Sequence, residues 1–289
     1  MKNDKIRKNL LVFGFLLIPM ILLFTFTYYS SARLIQLSFT DWNGISKTYN
    51  NVGLDNYIEV LTNVDNYKVF AHNLAYLIMG IIQNILGLLL AIILNEKIKG
   101  KNIFRTVMLL PYLMNGIAIA YMFSFLYHYD TGALNVILRF FGLKGVQWLG
   151  NAKIVNYSLA FILVWKFTGY NMMIFLGALQ SVDTQIYEAC ELDGANFFQK
   201  LWYITYPCIK RTVELSMFLS IAGAAKAFNE AFAMTNGGPN GASLTYVFKV
   251  MNTAFTYNNY GLASAMGVVL MIVLIILTVI QKKFISADD

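Results

Sequence analysis

Few residues of this chain have types and spacings that could do chemistry, and they gather in one place. Between Ile186 and Pro207, the acids Glu188, Glu191 and Asp193 stand among aromatic side chains, with Gly194 in their midst. Asp183 raises the acids of residues 183–193 to four. The set does not form a catalytic or metal-binding centre. The sequence has no Gly-x-x-x-x-Gly-Lys-[Ser/Thr] loop to cradle nucleotide phosphates, no His-Glu-x-x-His and no Cys-x-x-Cys. Its histidines are two, His72 and His128. Hydrolysis and metal chemistry have no support, so no catalytic residue, no metal ligand and no enzymatic activity is expected. What remains is recognition. A charged, aromatic stretch between two long apolar runs must lie in water beside a membrane, as a docking element for a soluble partner.

The local pattern predicts two short helices joined by a turn. Residues 183–192 favour helix, with Asp183 or Thr184 able to cap its start. Gly194 supplies a turn that a β-carbon would make costly. A second helix over about 196–205 is expected to stop before Pro207. Its spacing sets Phe197, Leu201 and Ile204 on one stripe and Phe198, Trp202 and Tyr206 on the next. One stripe can pack on the chain's own helices while the other fits a groove on a separate protein. Lying on lipid is the alternative. The four acids oppose it, because the inner leaflet is anionic.

The elements around this segment are membrane spans. Of 289 residues 58% are hydrophobic and 13% charged, half the charged share of about a quarter usual in soluble domains. Apolar runs reach the roughly 20 residues that cross the hydrocarbon core. They are expected at about 10–29, 69–94, 106–127, 154–179, 213–233 and 262–281. The first, preceded by Lys2, Lys5, Arg7 and Lys8, is too long for a signal peptide and lacks an Ala-x-Ala site. Orientation follows from the cations: 13 fall at the N-terminus, the 95–105 loop, the 183–211 region and the C-terminus, against 7 in the longer opposite loops. Six spans with both termini cytoplasmic satisfy that bias. The organisation is then a cytoplasmic N-terminus (1–9), a first span with outside loop (10–68), a core (69–281) containing the 183–207 loop, and a cytoplasmic tail (282–289). Tyr28, Tyr29, Tyr127, Tyr129, Tyr257 and Tyr260 fall where interfacial belts anchor helices. Cys190 and Cys208, on the cytoplasmic side, are expected as free thiols.

Glu188-Ala189, then Asp193-Gly194-Ala195, closing at Pro207, resembles the cytoplasmic loop of ABC importer permeases. Gly53-Leu-Asp-Asn-Tyr57, Gly100-Lys with Phe104-Arg105, Leu110-Pro111-Tyr112, Trp148-Leu149, Thr235-Asn-Gly-Gly-Pro239 and Tyr260-Gly-Leu-Ala-Ser-Ala265 resemble the sugar-importer branch, the maltose and multiple-sugar type. The likeness runs from about residue 10 to 284. Cys190 stands where that family often has Ala, and Asn229 where an Asp is frequent, which removes a charge at that site.

The resemblance implies an all-α polytopic membrane protein: six transmembrane helices with a cytoplasmic coupling-helix loop, the MetI-like type I ABC importer fold. It implies a permease subunit of an ATP-driven, binding-protein-dependent importer of a carbohydrate, foremost an oligosaccharide, in the bacterial cell (inner) membrane. Glycerol phosphate or a polyol is the alternative cargo, and a secondary carrier the alternative class, although inverted repeats and a set of coupling acids are missing. The implied partners are a cytoplasmic ABC ATPase dimer, a second homologous permease subunit, an extracytoplasmic solute-binding protein and the carbohydrate itself, with no nucleic acid. This chain would bind no cofactor, ATP and magnesium residing on the ATPase. Docking of the ATPase would fall to Glu188, Ala189, Asp193, Gly194, Ala195, Phe197, Phe198, Trp202 and Pro207, and contact with the binding protein to Gly237, Gly238 and Pro239. Polar residues inside spans usually face a cavity or another helix; here these are Gln83, Asn84, Asn115, Lys166, Asn171, Lys226, Asn229 and Glu230. Asn115, Asn171, Phe228 and Asn229 are candidates for the solute path, since amides satisfy hydroxyls and aromatic faces stack on sugar C–H surfaces. Lys226 and Glu230, four apart, could instead simply pair.

Overall fold

The structure, a computed structural model, describes residues 2–96 and 98–285. Lys97, one cation of the 95–105 loop, and residues 286–289 of the expected cytoplasmic tail lie outside the described residues, as do the side chains of the N-terminal cations and of Glu191. The described chain is helical, with one isolated bridge between Thr40 and Asn51. Contacts divide it into two compact units.

The first unit comprises the chain up to Asn63 together with Val250–Ile272. Helix α1 (Lys2–Leu23) runs through Pro19, and a π-helical turn, Phe24–Tyr29, carries it into α2 (Ser30–Leu37). The first span therefore reaches Leu37, past the expected end at residue 29. Beyond it the loop is closed by polar side chains. Asn56 donates to the carbonyls of Ser38 and Thr40, both at 2.9 Å. Asp41 accepts the Asn50 backbone N–H at 2.7 Å and its amide at 3.1 Å, which holds its carboxyl below the usual range. Helix α3 (Asp55–Thr62) completes this segment.

The second unit, Val64–Lys249 with the residues from Val273 on, contains the core. Helix α4 (Val64–Asn95) packs along α8 (Val155–Leu179), with α5 (Lys101–Leu113), α6 (Gly116–Leu126) and α7 (Ala133–Phe140) between them in sequence. Most of what α4 buries is small or polar, including Asn73, Gly80, Gln83, Asn84, Gly87 and Ala91, beside Val69, Tyr76 and Leu94. What it exposes is large and aliphatic, including Ile78, Ile85, Leu89 and Ile93. In water such a helix would be inverted. In lipid it is favourable, because tails are as apolar as leucine and small residues let helices approach. Gly169 of α8 shows how close: an added Cβ would fall 1.8 Å from the Met108 carbonyl oxygen of α5.

The remaining helices are α9 (Thr184–Leu192), α10 (Phe197–Lys200), α11 (Tyr206–Ala225), α12 (Tyr246–Met251) and α13 (Tyr260–Ile285). Among the described residues four helices are long and apolar enough to cross a membrane, Leu11–Leu37, Val64–Asn95, Val155–Leu179 and Tyr260–Lys283; α5 and α6 make a fifth if counted as one span bent by 99°. Length and composition alone therefore do not confirm the expected count of six. The expected third span breaks at Met114 and Asn115, both extended, where the Asn115 side chain caps α6. The expected fifth begins as α11, whose early turns carry Lys210, Arg211 and Glu214, and ends at Lys226 rather than 233.

Candidate functional site

The docking segment folds as a bent pair. Asp183 Oδ1 accepts the Gln185 N–H at 2.9 Å and starts α9. Gly194 has φ +76, the left-handed region that residues with a β-carbon avoid, and Ala195 N–H closes on the Cys190 carbonyl at 3.0 Å. Asn196 then starts α10 with a reciprocal capping box: its side chain accepts the Gln199 N–H at 2.9 Å while Gln199 accepts the Asn196 N–H at 2.8 Å. The Asn-x-x-Gln spacing carries that signal, which the apolar stripe pattern does not register. The helix does not stop before Pro207. Residues Leu201–Thr205 form a π-helical turn in which the Tyr206 N–H reaches back to Leu201, and Pro207 sits at the start of α11. The wider turn accommodates a residue with no N–H of its own.

The two expected stripes separate only in part: Phe197 of the first is exposed, and Tyr206 of the second is half-buried. Leu201 and Ile204 are half-buried and Thr205 is buried, its hydroxyl 3.2 Å from that of Tyr187. Under the bend lies a cavity of about 240 Å³, bounded by Phe197, Lys200 and Leu201, by Ile92 and Asn95 at the end of α4, and by Leu179 at the end of α8. Phe198, Trp202, Tyr203 and Leu192 are exposed, as are Glu188, Ala189, Asp193, Gly194 and Pro207; Ala195 is half-buried. Arg105 donates to the Leu94 carbonyl at 2.8 Å, fixing α5 to the same end of α4.

A second cavity, of about 390 Å³, opens among α4, α5, α8 and the break after α11. It gathers three of the four solute-path candidates, Asn171, Phe228 and Asn229, with Gln83 of α4 and Lys166 of α8. Asn115 is not in its wall. Its carbonyl oxygen is committed to the N–H groups of Ile117 and Ala118 at 2.9 and 3.4 Å. Its neighbour Gly116 is close: a Cβ there would stand 3.4 Å from Lys166 Nζ and 3.5 Å from Asn229 Nδ2. Of the aromatic wall, Phe228 was expected from the sequence, whereas Tyr112 and Tyr170 were not. Tyr112 stacks on Tyr170 with centroids 4.4 Å apart, and Phe228 stacks on Phe232 at 5.1 Å. Tyr112 stood in a recognisable Leu-Pro-Tyr run, but no periodicity joins it to Tyr170.

Asn84 lies behind this cavity as a hub. Its amide donates to the Ser220 hydroxyl at 2.6 Å and the Gly80 carbonyl at 2.8 Å; its oxygen accepts from Ser216 at 2.5 Å and Asn171 at 3.3 Å. Helices α4, α8 and α11 meet there. The pairing of Lys226 with Glu230 is overturned. Lys226 ends α11, its N–H shared between the Ala222 and Gly223 carbonyls, so the two do not lie on one helix. Glu230 is 4% exposed and shares the cavity wall with Lys166 and Lys226.

The Gly-Gly-Pro loop is braced from within. Gly237 has φ +82 and is buried. Ser243 donates to the Gly238 carbonyl at 2.6 Å and touches the Thr235 hydroxyl at 2.7 Å. A cis peptide joins Gly238 to Pro239. Asn73 accepts the Tyr246 N–H at 3.0 Å and donates to the Ala224 carbonyl at 2.8 Å, and Asn156 donates to the Ala242 carbonyl at 2.8 Å. The loop is thereby tied to α4 and α8.

Against known proteins, residues 83–287 match the family described as "Binding-protein-dependent transport system inner membrane component". The chain is 31% identical over 284 residues to the probable ABC transporter permease protein YurN of Bacillus subtilis, covering 96% of this chain and 97% of that one. It is 31% identical over 272 residues to the multiple sugar-binding transport system permease protein MsmF of Streptococcus mutans, covering 93% of each. Its fold matches a chain of a bacterial ABC transporter involved in import of the acidic polysaccharide alginate, with TM-score 0.84, 19% identity and 99% and 98% coverage.

Proposed function

This chain belongs to the binding-protein-dependent transport system inner membrane components, and on that premise we propose that it is the permease subunit of an ATP-driven importer for a carbohydrate. The cargo class is supported by the multiple-sugar relative and by the 390 Å³ cavity, at the small end of ligand sites. Its stacked tyrosines and amides suit a hydroxyl-rich ring, and Lys166, Lys226 and Glu230 share the same wall. The cytoplasmic ATPase docks on residues 183–207, both termini are cytoplasmic, and a second homologous permease completes the membrane part. The solute-binding protein presses on Gly237–Pro239. The apolar Leu11–Leu37 helix, unburied within this chain, is left for lipid and the second permease.

The observation that carries the proposal is the two-sided docking segment. Its outer face, Phe198, Trp202 and Tyr203, has no cover within the chain, while its inner face rests on the ends of α4 and α8. Those same helices wall the second cavity. From Asn95 to Gln83 along α4 is about 18 Å, and from Leu179 to Asn171 along α8 about 12 Å, at 1.5 Å per residue. A displacement of the segment by a nucleotide-driven partner therefore moves rigid helices whose far portions hold the solute. The Asn84 hub couples α11 to the same motion, because a buried polar network has few alternative arrangements. Alternating access follows from tilting these helices around the cavity.

Uptake of labelled oligosaccharide into proteoliposomes tests the proposal. Transport should require this chain, its permease partner, the ATPase with ATP and magnesium, and the binding protein. Uptake persisting without ATPase or binding protein contradicts it and favours a secondary carrier.

A further inference from the structure

Helix α7 is built inside out. Its polar residue Asn135 is 0% exposed, whereas Phe140 and the following Phe141 are 85% and 72% exposed, with Val136, Ile137 and Leu143 each above half. Residues 133, 136, 137 and 140 lie on one helical face, so the outward side is apolar along its length. The inward side is held by hydrogen bonds. Asn135 donates to the Tyr129 and Val146 carbonyls, both at 3.0 Å, and accepts from Val146 N–H at 2.9 Å and the Trp148 indole at 3.1 Å.

The same contacts fix how deep the helix lies. Trp148 stacks on Tyr127 with centroids 5.7 Å apart, and the Tyr127 hydroxyl donates to the Ser158 carbonyl, in the first turn of α8, at 2.8 Å. Helix α7 is thus tied to the level at which α6 ends and α8 begins, the level of the membrane–water boundary. Charge at that level is of one predominant sign. Arg139, Lys144 and Lys153 stand against Asp130 alone in residues 128–153. Arg139 is exposed and oriented by bonds to the Asp130 and Tyr129 carbonyls at 2.7 and 2.9 Å.

We propose that α7 and the adjoining Phe141 and Leu143 form a lipid-binding surface, an interfacial helix whose apolar face enters the acyl boundary while Arg139 and Lys144 meet phospholipid phosphates. An apolar face, tryptophan and tyrosine at the rim and a cationic border are what a phospholipid interface selects. A soluble partner would need acids to answer those cations and would leave the apolar face in water whenever it dissociated. In the orientation proposed above the surface belongs to the outer leaflet. The inference rests on the family's membrane location and not on the identity of the solute.

Nitroxide labels at Val136→Cys and Phe140→Cys, in a Cys190→Ser/Cys208→Ser background, read the environment directly. The importer is reconstituted in vesicles of phosphatidylethanolamine and phosphatidylglycerol, and uptake by the same preparation reports separately on the transport proposal. Oxygen collisions at both labels should exceed nickel-chelate collisions severalfold and be unmoved by adding the binding protein. Two results overturn the inference: nickel chelate reaching positions 136 and 140 as freely as a label at the exposed Asn240, or shielding that arises only when the binding protein is added.

Discussion

Residues 183–207 and the 390 Å³ cavity, proposed as docking and solute sites, belong to one unit yet are built by opposite means. The segment draws its features from one run of sequence: Asp183 caps, Gly194 turns, Asn196 and Gln199 cap again, and side chains alternate between an inner and an outer face. The cavity draws one or two residues from each of several helices and depends on close helix contacts, at Gly169 and around Asn84. A local site tolerates changes in the bundle and is destroyed by changes in its turn. A dispersed site behaves the other way.

That contrast can be broken by substitution. Gly194→Val should have the largest effect, because a β-branched residue in the left-handed region costs more than the roughly 1–2 kcal/mol of an ordinary one. The ATPase should no longer co-purify, while membrane insertion is normal; co-purification at full yield would count against docking at this segment. Gly169→Ala pushes a methyl into the Met108 carbonyl and should destabilise the bundle by about 1–3 kcal/mol. Thermal unfolding of the detergent-purified complex would report it, and an unchanged midpoint would deny that α5 and α8 are so close.

Tyr112→Ala should spare ATPase binding and slow uptake at low oligosaccharide concentration, read as a raised KM. Equal loss for every solute concentration would move Tyr112 out of the cavity wall. Asn84→Ala leaves three side-chain partners, Ser216, Ser220 and Asn171, to re-pair and should cost about 0.6–2 kcal/mol, as hydrogen bonds within membranes do. The smallest effect belongs to Asp41→Asn in the outside loop. Because the Asp41 carboxyl titrates below its ordinary 3.8, its contribution is present above that value and is lost as pH falls through the lowered pKa. The difference between wild type and variant should shrink in that acid range; a difference that grew would reverse the sign assigned.

The same contrast governs how much could be read in advance. The docking segment was legible almost residue by residue, since capping, turn and stripe signals act within a few positions. It was misread at Pro207, where a π-helical turn absorbs the missing N–H and the helix continues, and its Asn196–Gln199 capping box went unread. Apolar runs located four of the expected spans, and a fifth if the bent pair is one, but hydropathy does not register a bend. Asn115 looked like a polar residue within a span and is an N-cap between two helices at 99°. Lys226 and Glu230 looked like a helical pair and are separated by a break. The partnership of Tyr112 with Tyr170 joins positions 58 apart in sequence, a fact only packing determines.

The central claim is that residues 183–207 face the cytosol and receive the ATPase. A membrane-impermeant maleimide applied to Phe198→Cys, in a background with Cys190 and Cys208 replaced by serine, tests it most directly. The account predicts no reaction in intact cells, ready reaction in inside-out vesicles and protection there when the ATPase is bound. Labelling of intact cells at position 198 would contradict it.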